Sequence, residues 1–343
     1  MTSAHFLLSK KIAIAQVKLL EDLGLKISYS YKTNHEVGNI LQKECPNIKF
    51  SLHAFEEIEM IKNTSKISFF TQAESTEELE DITKKGVANF VIDNEIDLKR
   101  ILKAIKKTKT KINLSLRMKF QEHRVGTGKY FVYGMGSHKI NEIILQIKNN
   151  NLINKLGIHL HRKSQNTSEW EMTEEIKDSL TKESLKRINF INLGGGLPVK
   201  YRSYTSETQT YIFKKLKNVI NFLKEQKIEA IIEPGRFIAA PAIKLVTEIT
   251  QIYNKNMVLN TTIYNCALDT ILGQHKMLIE NELESGENYL IKGNSPTRDD
   301  IFRYTAKLKN PKVGDKIIFL NAGAYNYTTD FFGYKKLKTI IVD

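Results

Sequence analysis

The chain has 343 residues, of which 41% are hydrophobic and 26% are charged, and its formal net charge is +14 at pH 7. Its two cysteines exclude a disulfide framework and a zinc site built from cysteines. The first residues lack the apolar core of a signal peptide, and no apolar run approaches the ~18 residues of a membrane span. We therefore expect a cytoplasmic enzyme or binding protein that does not contact a membrane.

Residues 1–9 form a short strand or extended arm in our interpretation, and an amphipathic helix follows from Lys10 to Leu23, closed by Gly24. Strand-like runs rich in β-branched and aromatic residues then alternate with helical stretches over ~200–250 residues. The predicted strands are Ile27–Lys32, Ile48–Leu52, Ile67–Phe70, Ala88–Ile92, Ile112–Arg117, Leu156–His161, Ile188–Leu193 and Ala230–Glu233. Eight such units predict an α/β fold, a (β/α)8 barrel of the TIM type. A doubly wound open sheet is the alternative, and the count of eight argues mildly against it.

The pattern changes after Pro241 and little of the remainder is typical of a helix. The predicted strands there are Lys244–Tyr253, Thr261–Cys266, Tyr289–Lys292, Lys316–Leu320 and Lys338–Val342. We therefore predict a barrel domain over residues 10–240 and an all-β domain over residues 241–343, which the arm of residues 1–9 completes.

The positive charge is densest between Lys99 and Lys111. The spacing of these lysines suits the outer face of a helix whose apolar side is Ile101, Leu102 and Ile105. A solvated lysine-rich surface explains this pattern, and the chain contains no known nucleic-acid-binding motif. We expect no nucleic-acid partner, although a positive field also suits an anionic small ligand.

Lys32 lies at the carboxyl end of the first predicted strand, where chemistry takes place in a barrel of parallel strands. A partly desolvated lysine at such a position can lose its proton and form a Schiff base. Lysine is also the commonest charged residue of this chain, so an ordinary surface lysine is the alternative at this point.

The later strand ends carry residues suited to a phosphate and to a ring nitrogen. Three consecutive glycines, Gly194 to Gly196, let backbone N–H groups approach an anion, and Arg236 and Ser164 supply further donors. Glu233 precedes a Pro-Gly turn that directs its carboxylate into the barrel mouth, where it can protonate a pyridine nitrogen. The alternatives are an ordinary tight turn for the three glycines and an ordinary surface acid for Glu233.

His159 and His161 share one face of their strand. A zinc pair is one interpretation, but no third ligand follows at a metal-binding spacing, so we predict no metal site. We prefer an imidazole, that of His161, lying flat on a cofactor ring. Lysine, phosphate site, carboxylate and flat imidazole together predict a site for pyridoxal phosphate.

At this point the chain resembles the fold-type III pyridoxal-phosphate decarboxylases, whose barrel is of the alanine-racemase type and which include the diaminopimelate, ornithine and carboxynorspermidine enzymes. The resemblance covers residues 29–325. Its motifs are Tyr29-Ser30-Tyr31-Lys32-Thr33-Asn34, His159-Leu160-His161-Arg162-Lys163-Ser164-Gln165, Gly194-Gly195-Gly196, Glu233-Pro234-Gly235-Arg236 and Gly323-Ala324-Tyr325.

The resemblance implies a role for each matching residue. Lys32 forms the Schiff base, His161 stacks on the ring and Glu233 binds the pyridine nitrogen. The implied phosphate-binding residues are Ser164, Gly194, Gly195, Gly196, Gly235, Arg236 and Tyr325. The implied reaction is the loss of CO2 from a diamino acid or a carboxylated polyamine, in a head-to-tail homodimer with shared active sites.

One motif of the family is altered. Where the decarboxylases carry a proton-donating cysteine followed by an acid, this chain has Pro296 and Thr297, and only the last residue of that motif, Asp300, is retained. A missing general acid can cost ~10²–10⁴ in rate. Lys163 replaces a glycine, and Ser51 stands where the ornithine enzymes have an aspartate.

Three explanations remain open. Another donor acts, for which Cys266, Asp269 and His275 are the candidates; the enzyme is a racemase or acts on an unusual amino acid; or the chain is a weakly catalytic cofactor-binding paralogue. We assign Asp269, His275, Thr297 and Asp300 to the substrate site. Because Thr297 replaces the acid, we expect the far end of the substrate to be carboxylated or masked rather than a simple terminal amine.

Overall fold

The structure is a computed structural model that describes residues 3–120, 132–202, 207–329 and 331–343. Eight parallel strands close into a barrel, in which the first strand pairs with the last. They are β2 (Lys26–Ser30), β3 (Lys49–Leu52), β4 (Ile67–Phe70), β5 (Asn89–Ile92), β6 (Ile112–Arg117), β7 (Ile153–His159), β8 (Phe190–Asn192) and β9 (Glu229–Ile232). The predicted (β/α)8 barrel is confirmed.

Amphipathic helices connect the barrel strands and cover them on the outside. They are α2 (His35–Glu44), α3 (Thr76–Lys84), α4 (Glu95–Thr108), α5 (Ser137–Ile147), α6 (Met172–Ser179), α7 (Lys182–Leu185) and α8 (Glu207–Glu225), with α1 (Lys10–Glu21) before the barrel and α9 (Arg236–Ala242) after it. Helix α4 buries Ile101 and Ile105, as its sequence pattern predicts, and Leu98 as well, while the predicted Leu102 is only partly buried. No helix in the described parts of the chain combines the length and apolar composition needed to cross a membrane.

The inside of the barrel is unusually polar. Barrel interiors are commonly filled by Val, Ile and Leu, but here Ser28, Ser51, Ser115, Asn89 and Asn192 are buried. Four of these five side chains, all but Ser51, line a small cavity of about 60 Å³. The strands therefore bring hydroxyl and amide groups, rather than methyl groups, beneath the mouth of the barrel.

A second, mixed sheet forms the β-domain. Its strands are β1 (His5–Ser9), β10 (Ile243–Tyr253), β11 (Asn256–Leu259), β12 (Leu278–Ile279), β13 (Asn288–Lys292), β14 (Ile301–Lys307), β15 (Lys316–Leu320) and β16 (Lys338–Val342). The N-terminal strand β1 pairs antiparallel with β10 and parallel with β16, so the two ends of the chain meet in this sheet. The predicted C-terminal β-domain is confirmed.

Three predicted elements are wrong in detail. The predicted strand Thr261–Cys266 is a loop with a one-turn 3₁₀ helix, because the Asp300 carboxylate accepts the backbone N–H of Ile263 and the Asn265 side chain accepts that of Thr262. Among the helical stretches between the strands, the sequence pattern also predicts a helix over residues 55–62, where the structure has a 3₁₀ helix, Phe55–Met60. The first barrel strand ends at Ser30, and a 3₁₀ turn follows it. The short helix α10 (Asp269–Leu272) and strands β11 and β14 were not predicted.

Candidate active site

A cavity of about 750 Å³ opens at the carboxyl ends of the barrel strands and reaches the β-domain. It brings together most of the residues that the sequence singled out for cofactor binding: Lys32, His161, Ser164, Gly195, Gly196, Glu233, Gly235, Arg236 and Tyr325. Gly194 lies in the same turn as Gly195 but does not line the cavity. The predicted site residues therefore converge on one space, as expected for parallel strands whose ends share a rim.

Lys32 enters this cavity from the one-turn 3₁₀ helix Tyr31–Thr33, not from the strand itself. Burial lowers the pKa of the Lys32 amine, while the negative charges of Glu233 and Glu57 raise it and that of Arg117 lowers it further; the net direction is downward. A larger fraction of this amine is therefore unprotonated at a given pH than for an exposed lysine, which is the state that a nucleophile needs.

The Glu233 carboxylate is buried and receives three hydrogen bonds. Ser51 Oγ and Asn192 Nδ2 donate to Oε1, at 2.7 and 2.8 Å, and His159 Nε2 lies 2.8 Å from Oε2. Burial alone raises the pKa of Glu233, but the charge and hydrogen bond of His159 and the hydrogen bond of Ser51 outweigh it and lower the pKa to about 2. Glu233 is therefore an anion at neutral pH, and Oε1 carries more donors than Oε2.

The His161 imidazole is fixed from the neighbouring strand end, because the Gly195 backbone N–H donates to its Nδ1 at 3.3 Å. Burial, together with the nearby His159 and Arg117, lowers the pKa of His161 to about 3. The ring is therefore neutral at pH 7, and a neutral aromatic ring can stack on a cofactor ring without repelling a positive charge on it.

The glycine turn has no room for side chains. Gly194 and Gly196 adopt left-handed backbone conformations, with φ of +73° and +99°. A Cβ on Gly194 would lie 1.9 Å from the carbonyl oxygen of Leu160, and one on Gly196 would lie 2.4 Å from that of Lys163. The chain therefore needs glycine here to fold and leaves its backbone bare toward the cavity.

Arg236 is buried, and three of its five N–H donors are used within the protein. Nη1 donates to Tyr201 Oη at 2.9 Å and to Asp269 Oδ2 at 2.5 Å, and Nη2 donates to Asp269 Oδ1 at 3.1 Å. Nε has no hydrogen-bond partner among the described residues. In a guanidinium group, Nε–H and the second Nη2–H share one edge, so this edge is left for a bidentate acceptor such as phosphate.

The remaining predicted phosphate residues lie at the edge of the same region. The Tyr325 ring is centred 5.0 Å from the guanidinium carbon of Arg236, and Ser164 is exposed on the rim. Lys163, which replaces the motif's glycine, also lines the cavity and pairs with Glu169.

Sequence reasoning missed several cavity residues. Arg117 Nη1 pairs with Asp93 at 3.2 Å, and His53 stacks on Phe70 with ring centroids 4.6 Å apart. Arg117 and His53 are each the last residue of a predicted strand or the residue just after one, and that position was the signal that could have found them. Burial and the positive charge of Lys32 lower the pKa of His53 to about 4.

Asp269 and His275, predicted to contact the substrate, lie outside the large cavity of this chain. Both carboxylate oxygens of Asp269 bind Arg236, so Asp269 supports the predicted phosphate arginine instead of facing a substrate. His275 is half-buried and stacks on Tyr201, with ring centroids 5.2 Å apart.

Cys266, Thr297 and Asp300 are also placed away from this chain's cavity. The Cys266 thiol is buried and donates to the Thr262 carbonyl, burial raises its pKa, and it does not line the large cavity. The fully buried Asp300 carboxylate accepts the backbone N–H of Ile263 and Ser295. Thr297 pairs with the hydroxyl of Ser295 in the β-domain.

Within the ranges that the structure describes, no three His, Cys, Asp or Glu side chains form a group that could hold a metal ion. His159, the candidate of the zinc interpretation, is engaged by Glu233. What the barrel and its cavity define is a site for an organic, phosphorylated cofactor bound near a lysine.

Comparisons with known proteins agree with this description. The family model for the pyridoxal binding domain of pyridoxal-dependent decarboxylases matches residues 10–240. The chain belongs to the pyridoxal-dependent decarboxylase family. The predicted family and its cofactor, pyridoxal phosphate, are confirmed.

The individual relatives are distant. Diaminopimelate decarboxylase of Buchnera aphidicola is 28% identical over 212 residues, which is 51% of this chain and 49% of that protein. The enzyme of the same name from Helicobacter pylori is 25% identical over 279 residues, 76% of this chain and 68% of that protein. The match therefore spans about half the length of the first of these relatives. The crystal structure of the Helicobacter pylori enzyme complexed with L-lysine has a TM-score of 0.84 at 19% identity, covering 100% of this chain and 92% of that one.

Proposed function

We propose that the protein is a pyridoxal-phosphate-dependent decarboxylase of a diamino acid or a carboxylated polyamine, with Lys32 as the residue that holds the cofactor through a Schiff base. One observation carries this proposal. The Lys32 amine, whose pKa burial lowers, opens into the same cavity as the ionised Glu233 and the unused edge of Arg236. These are the three groups that an aldehyde, a ring nitrogen and a phosphate require.

The residues fit this cofactor. Gly195 and Gly196 present backbone without side chains to the cavity, and Arg236, which lines the same cavity, keeps two donors on one edge. Glu233 offers an anion whose Oε2 carries a single donor, which leaves a lone pair for a protonated ring nitrogen. Ser164 and Tyr325, at the edge of the same space, complete the predicted phosphate contacts.

When bound, pyridoxal phosphate supplies an electron sink for the bond that breaks. The protein supplies the rest. Glu233 would hold a positive charge on the ring nitrogen, His161 would limit movement of the ring as a neutral imidazole, and Lys32 would provide the amine that binds the aldehyde. The polar floor formed by Ser51 and Asn192 keeps the carboxylate ionised in a buried place.

Two facts bear on the substrate. The relatives named above act, by their names, on diaminopimelate, and one was solved with L-lysine. The cavity wall carries the Arg117–Asp93 ion pair, and we propose that these two side chains bind a zwitterionic far end of the substrate. Carboxynorspermidine, ornithine and lysine remain in the proposed range, and a carboxylated or masked far end is preferred.

A second candidate is a racemase or a weakly catalytic paralogue. Pro296 stands where the family has its cysteine, and neither Cys266 nor Asp269 is free to replace it. A racemase breaks the Cα–H bond on one face and forms a new one on the other, and the carboxylate stays in place, so no proton has to be delivered where a carboxylate has left.

We further propose the head-to-tail homodimer of the family, in which Thr297 of one copy faces the cavity of the other. Thr297 does not line the large cavity of its own chain, which agrees with a role across an interface. Sedimentation of the 39.4 kDa chain should give twice that mass, and a monomer with full activity would contradict this arrangement.

The test of the proposed function is a substrate screen with the cofactor-loaded protein. Diaminopimelate, ornithine, lysine, arginine and carboxynorspermidine, each labelled in the carboxyl group, are incubated in deuterated water. We expect labelled CO2 from one of them and none from Lys32→Ala. Deuterium at Cα with the label retained would identify a racemase, and consumption of no amino acid would contradict the proposal. If ornithine and lysine have the highest kcat/KM, the proposal that the far end of the substrate is carboxylated or masked is wrong.

A further inference from the structure

The turn that carries Lys32 has little support of its own. It is one turn of 3₁₀ helix, and its internal hydrogen bond runs from the Asn34 N–H to the Tyr31 carbonyl at 3.2 Å. Such short helices have poor hydrogen-bond geometry. The backbone carbonyls of Lys32 and Thr33 must find partners elsewhere, because buried carbonyls are nearly always paired.

These partners come from one segment of the β-domain, residues 323–327, which we call the clasp. The Tyr327 hydroxyl donates to the Lys32 carbonyl at 2.5 Å, and the Tyr325 N–H donates to the Thr33 carbonyl at 3.0 Å. The Asn34 side chain donates to the Gly323 carbonyl at 2.8 Å and to Asn326 Oδ1 at 3.0 Å. Three consecutive residues of the turn are therefore held from the other domain.

The clasp is itself anchored. Gly323 lies so close to helix α9 that a Cβ on it would stand 1.9 Å from the Ala239 carbonyl oxygen. The opposite side of the turn is closed by Gly235, whose Cβ would stand 2.1 Å from Thr33 Oγ1. The turn is therefore wedged between the end of the barrel and the β-domain, with Tyr327 bonded directly to the lysine's own carbonyl.

We propose that Tyr327 is a positioning residue: by bonding the Lys32 carbonyl it fixes the direction in which the lysine amine enters the cavity. Its ring also packs edge-on against the ring of Tyr325, with centroids 5.7 Å apart, but Tyr327→Phe keeps this contact and removes only the hydroxyl bond to Lys32. Burial raises the pKa of the Tyr327 hydroxyl, which therefore remains a donor throughout the working pH range. The inference rests on the proposed function of Lys32 and adds a residue that the family motifs do not include.

The test separates positioning of the amine from binding of the cofactor. The rate at which the protein captures pyridoxal phosphate is measured by borohydride trapping and by the mass of the peptide that contains Lys32. Pyridoxine phosphate, which has an alcohol in place of the aldehyde, measures binding without capture. The variant is Tyr327→Phe, and the control is Tyr304→Phe, an exposed tyrosine on β14. Asn326→Ala, which removes a second clasp bond, covers the case in which Tyr327→Phe does not fold.

We expect Tyr327→Phe to slow capture about 3- to 10-fold, since one hydrogen bond that orients a reacting group is lost. The affinity of Tyr327→Phe for pyridoxine phosphate should stay unchanged. In Tyr304→Phe, neither this affinity nor the rate of capture should change. Unchanged capture would overturn the inference, and so would an equal loss of capture and of pyridoxine phosphate affinity, which indicates general damage. Absence of capture at Lys32 in the unaltered protein would instead overturn the proposed function, and the inference with it.

Discussion

The Glu233 carboxylate oxygen Oε2 lies 2.8 Å from His159 Nε2, and neither side chain is appreciably exposed to solvent. The charge of Glu233 raises the pKa of the Lys32 amine. In the proposed function the same carboxylate binds the ring nitrogen of the cofactor. Its other oxygen is bound by Ser51, which in turn lies 2.7 Å from the Ser28 hydroxyl. The barrel floor thus keeps a negative charge in a place where burial alone would neutralise it.

The ionised Glu233 should make the fold sensitive to acid. Its pKa in the folded protein, about 2, lies below the ordinary value of 4.5, so its contribution to stability is present above pH 4.5 and is lost as the pH falls toward 2. For a shift of this size linkage gives about 3 kcal/mol. The free energy of unfolding is measured in urea between pH 6 and pH 2.5. Over this range it should fall by about 3 kcal/mol less in Glu233→Gln than in the unaltered protein. Glu44→Gln, at an exposed carboxylate, is the control and should lose as much unfolding free energy as the unaltered protein. Equal losses in all three proteins would contradict the prediction.

The charges around Lys32 should shift its reactivity in opposite directions. Glu233 raises the pKa of the Lys32 amine and Arg117 lowers it. Capture of pyridoxal, trapped by borohydride across a range of pH, should therefore move to lower pH in Glu233→Gln and to higher pH in Arg117→Gln. Shifts in the same direction would show that the two residues do not act on the amine through their charges.

Removing the carboxylate beside Arg236 should have two effects. Asp269→Asn leaves a buried guanidinium without its counter-charge, so the cofactor-free protein should lose about 3 kcal/mol of unfolding free energy. The same change should increase the preference for pyridoxal phosphate over pyridoxal, because the positive charge of Arg236 is no longer neutralised before the phosphate arrives. Kd values of the two compounds measure this preference. A reduced preference would show that Asp269 mainly orients Arg236.

The glycine turn should not tolerate a methyl group. Gly196→Ala places a Cβ 2.4 Å from a backbone oxygen at a φ of +99°, so the turn must shift. Affinity for pyridoxal phosphate should fall at least about tenfold, with less effect on pyridoxal. Gly136→Ala is the matched control, because a Cβ there meets nothing within 4 Å and its φ is −63°. Equal affinities in both variants would exclude the turn from phosphate binding.

Sequence reasoning singled out the barrel residues of the cofactor site because each lies at or just after the end of a predicted strand, and parallel strands bring their ends to one rim whatever the separation along the chain. Tyr325, in the β-domain, came from the family resemblance alone. Sequence reasoning could not find the partners that tune these residues. Ser51 bonds Glu233 across 182 residues within the barrel, which depends on how the barrel closes. Asp269 bonds Arg236 from the other domain, which depends on how the two domains pack. It also misjudged Thr261–Cys266, where β-branched residues suggest a strand but Asp300, far along the chain, claims the backbone N–H groups instead.

The most direct test of the account is the chemical identity of the residue that holds the cofactor. The protein is incubated with pyridoxal phosphate, reduced with borohydride, digested and analysed by mass spectrometry. We predict the pyridoxyl phosphate mass on the peptide that contains Lys32, and its absence in Lys32→Ala. A label on another lysine, or no label on a folded protein, would contradict the assignment of Lys32 and the site built around it.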